Sequence, residues 1–420
     1  MGNFDNIIGH EGIKTELLRF ADVIKNYEKY SALGVQIPNG IVLYGEPGVG
    51  KTLMAKGFIA ESGCKSYTIR KDMPNGEFVK YIKKTFDEAK KTTPAIVFLD
   101  DMDKFANEDE DHKNAEEYVA VQSCIDDCMG LGVVTLATVN EIHNLPDSLL
   151  REGRFDKRIG VDTPNGEDGK KIIEYYLGKK QVDEDVDLEE LALIMEGKSC
   201  AFLETVINEA GIYAGYQNKK KLSHDDIVKA FLRMDAQIPE CLEESDYSNL
   251  RIIAVHEAGH AVVREILEPG SVTLVSVYKQ EYSDEGIVKV HHPDQYNYIM
   301  DHQKNDVMGT LGGKAASEVV FLKPDMGCCA DLRRAFGLVS GFVDELCELG
   351  FNAYEYSESS QHLLTNKNIL VSTEIDKYYQ QAKHILMEHR DFLDAVVDAL
   401  LDHKTITYRE MQRIRESYVG

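Results

Sequence analysis

The hexapeptide VHEAGH places His256 and His260 four residues apart, with Glu257 directly after the first histidine. The surrounding run NLRIIAVHEAGHAVVREIL has helical periodicity, which puts both imidazoles on one face of a helix, one turn apart. Two imidazoles at that separation can bind one zinc ion. Glu257 lies about 100° further round the helix, where its carboxylate serves as a general base and not as a ligand. The pattern predicts a hydrolytic zinc site, and two buried, hydrogen-bonded histidines are the structural alternative.

Small residues separate the two histidines. Gly259 in the interior of a helix costs about 1 kcal/mol relative to alanine, which a purely structural helix would tend to avoid. We interpret Ala258 and Gly259 as residues that leave room for a substrate beside the metal.

A catalytic zinc needs a third protein ligand and an open fourth position. His291 and His292 lie in an apparent loop, in the segment VKVHHPD. Cys328 and Cys329 would favour a closed structural site if both bound the metal. Asp331 can be presented by the first turn of a predicted helix. Spacing alone does not choose among these candidates.

A second motif, GEPGVGKT, fits the phosphate-loop pattern G-x-x-x-x-G-K-[ST]. Its glycines let the backbone curl so that successive N–H groups point at phosphate oxygens, and the following helix adds its positive dipole end. Lys51 supplies charge to the outer phosphates, and the Thr52 hydroxyl reaches magnesium. The predicted nucleotide-binding residues on and beside the loop are Gly45, Pro47, Gly48, Val49, Gly50, Lys51, Thr52 and Leu53.

Polar residues follow the next strands of the same predicted domain. Asp100, at the end of AIVFLD, is expected to hold magnesium through water, and Asp101 to orient or deprotonate the attacking water. Asn140 ends the strand LATVN and is expected to contact the γ-phosphate. The segment LREGRFDKR offers Arg151 and Arg154. An arginine pair taken alone is usually just a surface feature, but in a ring such residues reach the nucleotide of the neighbouring subunit and stabilise transition-state charge.

The elements that must position these residues divide the chain into regions of different character. Continuous apolar strands alternating with helices predict an α/β domain with a parallel sheet covered on both faces. The next region reads as helical, with Ser223 as an N-cap. The last region is mainly α-helical, with a hairpin in SVTLVSVYKQEYSDEGIVKV. The predicted boundaries are 1–163 for the nucleotide-binding domain, 164–236 for a helical lid, 237–247 for a linker and 248–420 for the metal-binding domain.

Composition limits the classes of partner. A formal net charge of -25 over 420 residues argues against nucleic acid and against unaided docking on anionic lipid. Eight cysteines without regular spacing are typical of reduced intracellular thiols. No apolar run reaches the roughly eighteen residues that a bilayer requires. We therefore expect a cytoplasmic protein, or a membrane-associated one if an N-terminal anchor has been removed.

The order of these motifs resembles that of the FtsH-type AAA+ zinc metalloproteases, over nearly the whole chain. The segments that carry the resemblance are FDNIIGHEGIKTEL, GEPGVGKT, IVFLDD, LLREGRFDKRI, VINEAGIYA, AVHEAGHAVV, GGKAASEVVF and ADLRRA. The resemblance implies an AAA+ ATPase with a helical lid followed by a zinc protease domain. It also implies Zn²⁺, ATP or ADP and Mg²⁺ as cofactors, a homohexamer, and unfolded or tagged proteins as substrates.

The resemblance also assigns roles to particular residues. The metal-binding aspartate of the family falls on Asp331, and its paired arginine fingers fall on Arg151 and Arg154. Its γ-phosphate sensor falls on Asn140. The backbone near Ile8 would border adenine.

The sequence departs from the family in three places. Asp101 replaces the glutamate that follows the magnesium-binding aspartate, so its carboxylate is one methylene shorter. The segment RKDMPNGEFVKY, which matches the central-pore loop, has Gly76 but no aromatic at the usual position, and Phe78 is displaced. The N-terminal membrane segments of the family are absent from this sequence.

Two other functions fit parts of the sequence. A nucleotide-dependent remodelling or binding protein would carry a vestigial protease, which the intact H-E-x-x-H counts against. A zinc peptidase in which nucleotide mainly supports ring assembly, with weak hydrolysis and poor unfolding, would fit Asp101. Phosphate release measured in parallel with cleavage of folded and unfolded proteins would distinguish the three.

Overall fold

The computed structural model describes Phe4 and residues 7–35, 38–106, 115–164, 166–238, 249–278, 286–292, 299–323, 327–346 and 361–418. The chain divides into two compact units, Met1–Val182 with Met195–Ile212, and Asp183–Ile194 with Tyr213–Gly420. All three boundaries between the units, at 182/183, 194/195 and 212/213, fall in the region predicted as a helical lid. The predicted linker, 237–247, lies outside the described residues except for its first two positions.

The first unit alternates strands and helices, as the apolar runs predict. Its strands are β1 (Gly40–Tyr44), β2 (Lys65–Ile69), β3 (Ala95–Leu99), β4 (Val133–Val139) and β5 (Lys157–Gly160). Its helices up to residue 177 are α1 (Glu11–Lys25), α2 (Tyr27–Ser31), α3 (Lys51–Ser62), α4 (Asn75–Lys90), α5 (Ala115–Asp126), α6 (Asp147–Leu150) and α7 (Gly166–Leu177).

The five strands form one parallel sheet in the order β2-β3-β4-β1-β5. Successive residues of β3 belong to different cores: Ile96 and Phe98 pack in one apolar cluster, and Val97 and Leu99 pack in the other. Helices α1 and α3 contribute to the first cluster, and α4 and α5 contribute to the second. The prediction of a parallel sheet covered on both faces is therefore confirmed, and its carboxyl edge carries the polar residues of the phosphate site.

The region after the sheet is helical, as predicted. It contains α8 (Leu188–Ile194), α9 (Cys200–Tyr216) and α10 (His224–Asp235). The Ser223 hydroxyl accepts the Asp226 N–H, and the Asp226 carboxylate accepts the Ser223 N–H. This reciprocal pair is a capping box, and it confirms Ser223 as the N-cap.

The rest of the second unit is mainly helical. Its helices are α11 (Leu250–Leu267), α12 (Met300–Phe321), α13 (Cys328–Asp344), α14 (Gln361–Glu388), α15 (Arg390–His403) and α16 (Tyr408–Tyr418). The predicted hairpin is confirmed as β6 (Val272–Ser276) paired antiparallel with β7 (Ile287–Val290). The sequence reading missed β8 (Thr405–Thr407), which pairs with the other edge of β6. Among the described helices, none is both long enough and apolar enough to cross a bilayer.

Helices α11 and α12 approach each other backbone to backbone. A Cβ on Gly259 would lie 2.4 Å from the Gly312 carbonyl oxygen, and a Cβ on Gly312 would lie 2.5 Å from the Gly259 oxygen. Ala258 is fully buried in the apolar core of this unit. The expectation that Ala258 and Gly259 leave room for substrate is therefore wrong, because their small size serves helix packing.

One carboxylate of α12 joins this helix to α14. Glu318 pairs with Lys314 on its own helix and accepts from Lys383 of α14 at 3.2 Å. Burial alone would raise the pKa of Glu318, but hydrogen bonds from Lys314, Tyr379 and Lys383 lower it to about 2. Glu318 is therefore ionised at neutral pH and stabilises the folded unit.

Candidate metal centre and nucleotide site

Three side chains from two helices converge in the second unit. His256 and His260 lie on α11 with their Nε2 atoms 3.1 Å apart. The Asp331 Oδ2 atom lies 3.1 Å from the first of these nitrogens and 3.2 Å from the second. Asp331 is in the first turn of α13, as the sequence suggests. Helical periodicity therefore brings the two imidazoles together, and the packing of α13 adds the carboxylate.

The donor set fits a zinc ion. Tetrahedral zinc with bonds of 2.0–2.1 Å to N and O separates its ligand atoms by about 3.3 Å. The three separations here are 3.1, 3.1 and 3.2 Å. Two imidazoles and one carboxylate are also a ligand set of catalytic zinc sites, which leave one position open.

The His260 ring is fixed by a backbone contact on its other side. Its Nδ1 lies 2.8 Å from the Gly309 carbonyl oxygen, which can only accept a hydrogen bond. The Gly313 N–H lies farther from the same nitrogen, at 3.3 Å, so the shorter Gly309 contact favours the tautomer with the proton on Nδ1. In that tautomer the Nε2 lone pair faces His256 and Asp331. Gly313, one turn further along α12, faces both rings: a Cβ there would lie 2.5 Å from His256 Nε2 and 2.6 Å from His260 Nε2.

The structure places the other candidate ligands outside this group. The described His/Cys/Asp/Glu side chains that converge here are His256, His260 and Asp331. The His291 N–H donates to the Ser271 carbonyl oxygen at 2.7 Å, while Cys329 is exposed. Burial would raise the pKa of Asp331, but the neighbouring His256 and His260 rings hold it well below its usual range.

Glu257 faces the same cleft without joining the three converging side chains. It is only 4% exposed, and its Oε1 accepts the Gly286 N–H at 3.0 Å. Burial raises its pKa above the ordinary glutamate value, although His260 and His256 oppose that shift. A buried carboxyl with a raised pKa beside a metal site can accept and return a proton.

The phosphate loop lies between β1 and α3, where the sequence places it. Gly45, Gly48 and Gly50 have φ values of 147°, 83° and 100°, which other residue types rarely adopt. A Cβ on Gly45 would also lie 2.0 Å from the Val161 carbonyl oxygen. Val49 is buried, whereas Pro47 and Leu53 are exposed. The loop therefore has the curled backbone that presents N–H groups to phosphates.

Lys51 and Asn140 are in direct contact. The Lys51 ammonium donates to the Gly45 and Glu46 carbonyl oxygens at 2.6 and 2.8 Å, and to Asn140 Oδ1 at 3.0 Å. The Asn140 N–H donates to Asp103 Oδ2 at 3.1 Å. The structure thus brings together the phosphate-binding lysine and the predicted γ-phosphate sensor.

Asp100 is held at the end of β3 by three donors. Its Oδ1 accepts from the Thr52 hydroxyl at 3.1 Å and from Thr138 at 3.0 Å, and its other oxygen pairs with Arg70. Sequence reasoning missed Arg70 and Thr138. Thr138 could have been predicted from the sequence, because it lies two residues before Asn140 on β4, the strand that pairs with β3. Thr52 and Asp100 form the hydroxyl–carboxylate pair that holds magnesium in phosphate-loop enzymes.

Asp101 follows in a left-handed conformation, with φ 54°. Its carboxylate pairs with Lys104 at 2.6 Å, and its N–H donates to the Thr138 hydroxyl at 3.0 Å. The shorter carboxylate noted in the sequence is therefore turned toward a lysine of the same loop.

The two candidate arginine fingers have different environments. Arg154 is 3% exposed, and its Nε and Nη2 each donate to an Asp126 carboxylate oxygen at 2.8 Å. Its Nη1 donates to the Ser148 carbonyl oxygen. Arg151, at the end of α6, is exposed. Arg154 is therefore paired with Asp126 inside its own unit, whereas Arg151 is exposed to solvent.

The segment containing Ile8 is anchored beside the phosphate loop. The next residues, Gly9 and His10, lie against α7, where the His10 N–H donates to Asp168 Oδ2 at 2.8 Å. Ile7 packs in the same apolar cluster as Val49 of the loop. The backbone at Ile8 is therefore anchored on both sides, by the Ile7 side chain in the core and by His10 against α7.

The segment that matches a central-pore loop has its aromatic side chain in the core. Phe78 is fully buried, and its ring packs edge-on against Phe105, with centroids 5.1 Å apart. Gly76 lies in the first turn of α4. Phe78 therefore does not supply an exposed aromatic grip.

Comparisons with known proteins agree with both sites. Residues 41–163 match the ATPase family associated with various cellular activities (AAA), and residues 244–414 match peptidase family M41. The chain is 30% identical to ATP-dependent zinc metalloprotease FtsH 2 of a Thermoanaerobacter species, over 98% of this chain and 82% of that protein. It is 30% identical to the FtsH of Thermotoga maritima and 28% identical to that of Bacillus subtilis, covering 98% of this chain in each case, and 72% and 69% of those proteins.

A phosphate loop and a His–His–Asp cluster each occur in many unrelated enzymes, so neither alone would define a family. Their order in one chain, the two matched domains and the similarity over 98% of the residues do define one. This chain belongs to the FtsH family of ATP-dependent zinc metalloproteases.

Proposed function

We propose that the chain is an endopeptidase that cleaves unfolded or partly unfolded proteins as a homohexamer and uses ATP to feed them to the metal centre. One observation carries the proteolytic part of this proposal. The three zinc-binding side chains and the buried Glu257 line a single cleft.

The chemistry divides between the metal and the chain. Zinc, when bound by His256, His260 and Asp331, supplies a Lewis acid that polarises the scissile carbonyl. Glu257 takes a proton from the attacking water and returns it to the leaving amine. The Gly286 N–H holds one oxygen of Glu257 in place, and burial raises the pKa of this carboxyl above the ordinary glutamate value. Glu257 is therefore the general base and acid of the reaction.

The ATPase part rests on the carboxyl edge of the sheet. Lys51 contacts the outer phosphates, Thr52 and Asp100 hold magnesium, and Asn140 reads the γ-phosphate. Asp101 orients the attacking water once its carboxylate leaves Lys104. Hydrolysis in this unit drives movement of the unfolded chain.

The ring part rests on the exposure of Arg151. An exposed guanidinium at the end of α6 is available to the nucleotide of a neighbouring subunit. Arg154 supports that position from within by binding Asp126.

A subunit-mixing experiment tests the ring. Lys51→Ala protein cannot bind phosphate correctly, and Arg151→Ala protein cannot complete a neighbour's site. Each alone should be inactive, but mixed rings contain some sites with an intact Lys51 facing an intact Arg151. ATP hydrolysis in the mixture well above that of either protein supports a ring with shared sites, and hydrolysis equal to the average of the two contradicts it; the mass of the assembled protein then gives the number of subunits.

The protease is tested with Glu257→Gln. This change keeps the size and polarity of the side chain but removes the proton acceptor, so casein cleavage should fall by at least about a hundredfold. Zinc content and ATP hydrolysis should stay at wild-type values, which is the internal control. Unchanged casein cleavage in this variant would refute the assignment.

A further inference from the structure

The cleft beside the metal ligands extends toward a pair of arginines. Its volume is about 190 Å³, the space of roughly six water molecules. Arg264, Thr310 and Arg334 line it together with His256, His260, Glu257 and Asp331. The role assigned to this cleft in peptide cleavage does not use the first three residues.

Arg264 is positioned by the same helix as the histidines. It follows His260 by four residues, so the three side chains share one face of α11. The Arg264 side chain is 8% exposed and lies along the backbone of Gly309, where a Cβ would meet its Cγ at 2.6 Å. Its Nη2 pairs with Asp306, which is 2% exposed. Arg264 is therefore a fixed, desolvated cation at the inner end of the cleft.

Arg334 adds a second positive charge at the outer end. Its side chain is 55% exposed, and its Nη2 lies 3.0 Å from Asp306 Oδ2. The same carboxylate thus faces both guanidiniums. Two positive charges share one negative charge, while the Asp331 carboxylate faces the imidazoles. The two charged side chains that line this end of the cleft are guanidiniums, while the nearby Asp306 and Glu268 carboxylates do not line it.

Thr310 supplies a neutral donor between the arginines and the metal group. It is 3% exposed, and its hydroxyl has no hydrogen-bond partner among the described residues. Leaving a buried hydroxyl unpaired costs about 1–3 kcal/mol. A ligand that accepts a hydrogen bond in the cleft would remove that cost.

We propose that Arg264, Arg334 and Thr310 form a subsite for a carboxylate of the substrate peptide. Guanidinium groups and a hydroxyl are complementary to a carboxylate in charge and in hydrogen-bond direction. Arg264 lies one turn beyond His260, about 6 Å along the helix axis, which an extended peptide covers in about two residues. The subsite therefore selects a carboxylate within about two residues of the bond that is cut. This inference rests on the proposed proteolytic function.

Two sources of carboxylate share this chemistry. One is an aspartate or glutamate side chain within the substrate, and the other is the C-terminal carboxylate of the peptide. A side-chain carboxylate makes the enzyme selective for acidic sequences. A terminal carboxylate directs cleavage to chain ends.

Peptide binding tests the subsite without turnover. Full-length, zinc-loaded Glu257→Gln protein is titrated with fluorescent octapeptides that differ only in Glu against Gln at one position, or in a free against an amidated C-terminus. The carboxylate form of one pair should bind about tenfold more tightly, as expected for one partly exposed charge-assisted hydrogen bond. The pair that shows the difference identifies the source. Equal affinities within both pairs overturn the proposal.

Second changes in the same background locate the effect. Arg334→Gln leaves Asp306 paired with Arg264 and should reduce the tenfold difference to threefold or less, and Thr310→Val should reduce it as well. Arg333→Gln is the matched control, because Arg333 is the exposed neighbour of Arg334 and does not line the cleft. A preference that survives Arg334→Gln or disappears with Arg333→Gln overturns the proposal. Failure of the proteolytic function is seen separately, as absence of casein cleavage by the wild-type protein.

Discussion

The glycine of α12 that faces both metal-binding imidazoles gives the sharpest test of the metal centre. In Gly313→Ala, the new methyl would lie 2.5 Å from His256 Nε2 and 2.6 Å from His260 Nε2. Ordinary contacts begin near 3.4 Å, so each nitrogen must move by about 0.8–0.9 Å. Metal–ligand distances in proteins tolerate only about ±0.2 Å.

The expected result is a selective loss of zinc. Zinc affinity should fall by about 10–100-fold, the usual cost of disturbing the groups that orient metal ligands. Alanine is a better helix former than glycine by about 1 kcal/mol, so α12 itself should not unfold. ATP hydrolysis per subunit should remain close to the wild-type rate because the phosphate site lies in the other unit.

The measurement is zinc content of dialysed protein by elemental analysis, with zinc affinity from competition with a chelator of known strength. Thermal unfolding is followed by far-UV circular dichroism, because the chain contains no tryptophan whose fluorescence could report unfolding. Gly337→Ala is the matched control: it makes the same change within α13, where a Cβ would meet nothing within 4 Å. If Gly313→Ala binds zinc within threefold of the wild-type affinity, the imidazole geometry described here is wrong.

Asp126→Asn leaves the buried Arg154 guanidinium without its anion, so the free energy of unfolding should fall by about 2–3 kcal/mol in urea titrations. The expected loss is smaller than the about 3–5 kcal/mol for breaking a fully buried pair, because Asp126 is 41% exposed. A loss under about 1 kcal/mol would contradict this assignment of the ion pair. Glu318 has a pKa lowered to about 2 from 4.5, so its stabilisation is complete above about pH 5 and lost toward pH 2. Wild type and Glu318→Gln should therefore differ in melting temperature at pH 6, and the difference should shrink below about pH 4.5 and vanish only toward pH 2. A difference that stays constant over this range would contradict the pairing. Asp101→Asn should slow ATP hydrolysis at least tenfold, and Asp101→Glu should make it faster than in the wild type, as measured by phosphate release. Equal rates in the wild type and both variants would show that Asp101 has no part in catalysis.

The phosphate site was predictable because its information is local. The glycines, Lys51 and Thr52 lie on one loop, and the strand before it and the helix after it are visible as an apolar run and a periodic segment. Asp100 and Asn140 could be added because parallel strands end at the same edge of a sheet. The two histidines were predictable for the same reason, since helical spacing alone places them on one face.

Contacts between distant segments were not predictable from spacing. Nothing in the sequence pairs Arg154 with Asp126 or Arg70 with Asp100, because these contacts depend on how strands and helices dock. Asp331 was assigned by resemblance only, and its helix places it beside the imidazoles. The β8 strand was missed because three residues carry too little periodicity to separate a strand from a turn.

The metal centre depends on the distance between two helices as much as on its ligands. Gly309, Gly312 and Gly313 occupy one face of α12, at spacings of three and four residues. They receive, in turn, the Arg264 side chain, the Gly259 backbone and the two imidazoles. A side chain at any of the three would hold α12 away from α11, and the Gly309 carbonyl would then no longer reach His260 Nδ1. The glycines of α12 therefore fix the tautomer and the position of the histidines. The H-E-x-x-H motif specifies only the part of the site that α11 contributes.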